Sequence, residues 1–127
     1  MEKKDIESRE DIHKLVDSFY AEVRQDDVIA YLFNEVAQLN WNLHLPKIYS
    51  FWDSMLLGAA SYKGNPMIKH LELHQKEKLS EKHFDRWIEL WEKHVDTLFE
   101  GETAKLAKAR ARSIKDLMMF KIGLLDA

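Results

Sequence analysis

The chain has 127 residues, a formal net charge of −3, 46% hydrophobic and 32% charged residues, and no cysteine. That length suits one domain, residues 1–127, around a single core, and the composition is too apolar for a disordered chain. The lack of cysteine excludes disulfide frameworks, thiolate metal sites and thiol nucleophiles, and it suits a reducing, cytoplasmic setting.

The start, Met1 to Asp5, is charged and carries no apolar run of the secretory kind. No later stretch is apolar for long enough to cross a bilayer, so no membrane partner is expected. Lys105, Lys108, Arg110 and Arg112 form the one basic cluster. Alanines at helical spacing dilute it, which reads as a solvated helix face rather than a nucleic-acid stripe.

No segment alternates apolar and polar residues for long enough to be a strand, so the fold class is all-α. A first helix is expected from about Ser8 to Gln25, with Ile12, Leu15, Val16, Phe19, Tyr20 and Val23 on one face. Ser8 and Asp11 form a capping pair. Val28 to Val36, rich in apolar residues, reads as one or two short helices.

The next helix runs from near Asn42 to Gly58, with Pro46 close to its first turn, where a missing N–H costs least. His44 opens a stripe otherwise made of Ile48, Phe51, Trp52 and Met55. Residues Ser61 to Asn65 read as a loop, and Asn65-Pro66 starts a short helix from Met67 to about Gln75 that contains His70. Ser80-Glu81 caps a helix reaching Glu100, with Phe84, Trp87, Ile88, Trp91, Val95 and Leu98 buried and Gly101 as its stop. A last helix, Thr103 to Ile122, buries Leu106, Ala107, Ala111, Ile114, Leu117 and Met118. About six helices, one short and wedged between long ones, suggest a fold that leaves room for something.

Six histidines are present. His13 and His94 read as ordinary structural residues. His70 and His74, four apart, share a helix face and would suit a non-haem metal, but a third ligand beyond Glu77 is hard to find. A di-iron bundle needs two Glu-x-x-His pairs, and only Glu10 to His13 offers one. The sharper pattern is Tyr20, His44 and Trp87, three polar tips on apolar faces. Burying each without a partner would cost roughly 2–7 kcal/mol. They could satisfy one another, or hold a polar diatomic ligand in an apolar pocket.

Ordered fragments carry a family resemblance: Leu15-Val16-Asp17-Ser18-Phe19-Tyr20, Leu32-Phe33-Asn34, His44 through Trp52, Met55 through Gly58, Tyr62-x-Gly64-Asn65-Pro66, His70-Leu71-x-Leu73-His74 and His83-Phe84-x-Arg86-Trp87. Together they cover nearly the whole chain, which resembles a group III truncated haemoglobin. The lack of Gly-Gly pairs favours group III over the other groups.

The resemblance implies a two-over-two helical sandwich around haem b, with His70 as the iron ligand. It places Tyr20, His44, Ile48 and Trp87 around the ligand on the other side. Candidate haem-wall residues are Phe33, Phe51, Trp52, Leu56 and Met67, and Lys47 is placed to reach a propionate. His74 competes with His70 as ligand, and His83 could approach the haem edge or cap its helix.

The expected function is binding of dioxygen, or another diatomic such as nitric oxide, with slow release, for scavenging, storage or detoxification rather than bulk transport. No catalytic residue is assigned. A nitric oxide dioxygenase or peroxidase-like enzyme is the rival reading and would need a separate reductase; a non-haem metal protein is a further one. The chain is expected to be a monomer.

Overall fold

The computed structural model describes residues 3–32, 41–58 and 78–126, with side chains to residue 123. Phe33, Met67, His70 and His74 lie outside the described residues, as do the expected loop at 61–65 and the helix start at Asn65-Pro66.

Helix α1, Arg9–Val23, begins as its local sequence dictates. The Asp11 N–H donates to Ser8 Oγ at 3.3 Å and the Ser8 N–H donates back to Asp11 Oδ2 at 3.2 Å. This reciprocal cap satisfies two otherwise unpaired donors. The buried face is Ile12, Leu15, Val16, Phe19, Tyr20 and Val23, as the spacing predicts. Beyond it, Asp26 accepts the Val28 and Ile29 N–H groups at 3.0 and 3.2 Å and ties off the turn. Arg86 reaches the same carboxylate, Nη2 to Oδ1, at 2.7 Å.

Helix α2, Trp41–Leu57, includes Trp41 ahead of the expected start. Pro46 is therefore the sixth residue and lies inside the helix, not in its first turn. Its missing N–H removes the bond that would have returned to the Asn42 carbonyl. Helix α3, Glu81–Leu98, buries Phe84, Ile88, Leu90, Trp91 and Val95. It ends two residues before the expected Glu100, because Phe99 is already extended.

Helix α4, Glu102–Asp126, starts where a distant residue caps it. Asp5 accepts the N–H groups of Thr103 and Ala104 at 2.9 and 2.8 Å. Gly101 makes the corner with a φ of 139°, and a Cβ there would stand 2.5 Å from Asp5 Cγ. Burial pushes the Asp5 carboxyl up, but N–H donors from Thr103, Ala104 and Ile6 outweigh it and hold the group below its ordinary value. The stability it contributes is therefore present above the unfolded carboxylate range and is lost as pH falls through the lowered folded value. Asp5→Ala is expected to cost about 1 kcal/mol, lowering the thermal midpoint by roughly 3–5 °C at neutral pH, with the gap from the parent closing in strong acid.

Helix α1 packs on both α2 and α3, and α4 packs on both α3 and α2. This is a two-over-two sandwich. Ala104, Ala107 and Ala111 line the inner face of α4, small enough to let the Trp91 indole reach the Ala107 carbonyl at 3.1 Å. Leu117, expected inside, is 48% exposed. The inner stripe of α4 runs from Ala111 to Met118 and Ile122, and Leu117 falls to one side of it. No helix among the described residues is long and apolar enough to cross a membrane.

Candidate functional site

Helix periodicity turns Tyr20, at the inner end of α1, towards α3. Its phenol is buried, and Trp87, midway along α3, hydrogen-bonds to it. Indole N–H only donates, so the bond uses the tyrosine oxygen and leaves the tyrosine proton to be donated elsewhere. Burial raises the Tyr20 pKa well above its ordinary value, and the Trp87 bond offsets only part of this. The group remains a neutral donor at any physiological pH. Phe19 backs the pair, with its ring 6.2 Å from Trp87 and 5.1 Å from Trp91, both edge-on.

His44 is half-buried on the first turn of α2. Trp41, which spacing does not single out, touches both rings, 5.8 Å from that of His44 and 5.4 Å from that of Tyr20. Its position three residues before His44, on the same helix face, is the signal that could have found it.

Ile48, Phe51 and Leu56 are half-buried against the core, and Lys47 is exposed. Trp52 is drawn further in, 3% exposed, and its ring stacks on Trp91 at 4.4 Å. One face of Trp52 is thus committed to holding α2 against α3.

His83 is accounted for structurally. Its Nδ1 accepts the Ser80 N–H at 3.0 Å, which caps α3 and leaves the ring proton on Nε2, 3.0 Å from the Tyr31 oxygen. Both ring nitrogens are engaged, which favours the capping role over approach to a haem edge. His13 stacks on Tyr49 at 3.9 Å, and His94 pairs with Glu22 at 2.9 Å. Both are packing residues of helix seams.

Among the described residues, four helices paired two over two, with a buried phenol and a half-buried indole on adjoining helices, define the class as a truncated globin. The chain belongs to the bacterial-like globin family, whose profile matches residues 4–121. It is a haem-binding globin. It is similar to the group 3 truncated hemoglobin ctb of Campylobacter jejuni, with 32% identity over 122 residues covering 91% of this chain and 94% of the relative. A crystal structure of the group III truncated hemoglobin from Campylobacter jejuni superposes with a TM-score of 0.82 at 29% identity, covering 94% of each chain.

Proposed function

We propose that this globin binds haem b and holds dioxygen, or a related diatomic such as nitric oxide, with slow release. The buried Tyr20 phenol, with the half-buried Trp87 indole beside it, carries this reading. The residues present fit the group: a buried neutral phenol, an imidazole and an indole close by and an apolar surround suit the ligand side of a haem. Haem, when bound, supplies a ferrous iron that takes a diatomic molecule on its open side.

In this reading His70 ligates the iron, and Phe33, Phe51, Trp52, Leu56 and Met67 wall the ring. Lys47, exposed on α2, reaches a propionate. Tyr20 donates to the ligand, Trp87 aligns Tyr20, His44 supplies a further polar contact and Ile48 presses from the apolar side. Several donors aimed at one small molecule slow its escape, which suits storage, scavenging or detoxification better than bulk delivery. The protein acts as a single-domain cytoplasmic monomer.

The purified protein is expected to show a Soret band. His70→Ala is expected to abolish the histidine-ligated ferrous spectrum, with added imidazole restoring it. Retention of the parent spectrum in that variant would assign the iron to another ligand, His74 first. Steady-state consumption of nitric oxide or peroxide in the presence of a reductase would move the protein to the enzyme class.

A further inference from the structure

Trp41 is the centre of an ordered stack that runs from the interior to the surface. Tyr20 is buried, Trp41 is half-buried and Arg24 is exposed. The Arg24 guanidinium carbon lies 4.6 Å from the Trp41 ring centroid, a cation–π distance. On the inner side the Trp41 ring is tilted 54° to Tyr20 and meets His44 edge-on at 76°.

The backbone fixes both ends. Arg24 is the C-cap of α1, its N–H bonded to the Tyr20 carbonyl at 3.0 Å, and Trp41 is the first residue of α2. The stack therefore bridges the two helices that carry Tyr20 and His44. An edge-to-face contact restricts the imidazole ring more than a surface position alone would.

The geometry points to Trp41 as a positioning residue that gates the ligand side, with Arg24 as its outer clasp. Closed, Trp41 holds His44 at the edge of the donor set and stands against Tyr20. Opening requires the indole to leave the guanidinium, and His44 gains freedom when it does. This inference rests on the haem reading of that face. It adds a residue whose action runs through His44 and Tyr20 rather than through contact with the ligand.

The test uses the haem-loaded protein with carbon monoxide as the probe. The C–O stretching bands of the ferrous complex report the fraction of ligand held by polar contacts, and flash photolysis gives the association rate. Arg24→Met keeps the length of the side chain and removes the cation. It is expected to shift the band ratio towards the weakly contacted form, and to raise the association rate, by about 2- to 5-fold. Arg24→Lys is expected to restore most of both.

Trp41→Leu should move both readouts further, and Trp41→Phe should recover part of the change. Because Arg24 is exposed, Arg24→Met stays informative even if Trp41→Leu does not fold. A parent-like band ratio and association rate in Arg24→Met, with the Soret band intact, would reduce Trp41 to a packing residue and overturn the gate. Absence of a Soret band in the parent would instead overturn the haem reading, and the gate with it.

Discussion

Tyr20→Phe is expected to speed dioxygen release by about 10- to 150-fold, the value of one hydrogen bond to a charged acceptor. Phenylalanine keeps the ring and the packing against Phe19 and removes only the donor. Trp87→Phe is expected to act differently. Its single N–H goes to the Tyr20 oxygen, so its contribution runs through the tyrosine and is that of a neutral bond, about 2- to 12-fold. The two changes should then be strongly non-additive, with Trp87→Phe adding little once Tyr20 is Phe. Independent, multiplying effects would mean that Trp87 donates to the ligand itself. The Tyr20-dependent part of the slow release should also persist as pH passes the ordinary phenol range near 10, because burial holds the group protonated beyond it. Stopped-flow displacement of dioxygen from the four proteins measures all of this.

What could be read from the residues is what local physics determines. Ser8 and Asp11 stand three apart and the apolar residues of α1 recur at helical spacing, so the cap and the buried face follow from fewer than twenty consecutive residues. The same holds for Phe84, Ile88, Trp91 and Val95 on α3. Long-range partners could not be read. Nothing around Asp5 says that its carboxylate caps a helix almost a hundred residues on, since any surface aspartate has the same local sequence. Leu117 was misplaced because a stripe of alanines had already determined which face of α4 turns inward. At the site, polar tips on apolar faces group Tyr20 with Trp87 in the sequence, but leave open whether the two satisfy one another or a ligand. Trp41 does not stand out in the sequence, because the importance of its indole lies in neighbours that only the fold brings to it. The ring stack around Trp52 and Trp91 was legible as core but not as a joint between two layers.

That joint is where the largest stability effect is expected. Trp91 is fully buried, with Trp52 stacked on one side, Phe19 edge-on at another and its indole N–H on the Ala107 carbonyl. It therefore touches each of the other three described helices besides anchoring its own. Trp91→Ala removes the ring from a site that rigid helices on every side cannot collapse to fill, and is expected to cost about 3–5 kcal/mol. Against a total of about 5–15 kcal/mol for a domain of ordinary stability, such a loss brings the protein close to unfolding at room temperature. Trp91→Phe is expected to cost less, about 1–3 kcal/mol, because the Ala107 carbonyl keeps its helical N–H partner when the indole is gone. Urea titrations would resolve the two, and a cost below about 1 kcal/mol for the alanine variant would place the joint elsewhere. The same change should reach the ligand side, since Phe19 leans on Trp91 and stands next to Tyr20. In the phenylalanine variant, which should stay folded, ligand release is expected to quicken although no group near the ligand has changed.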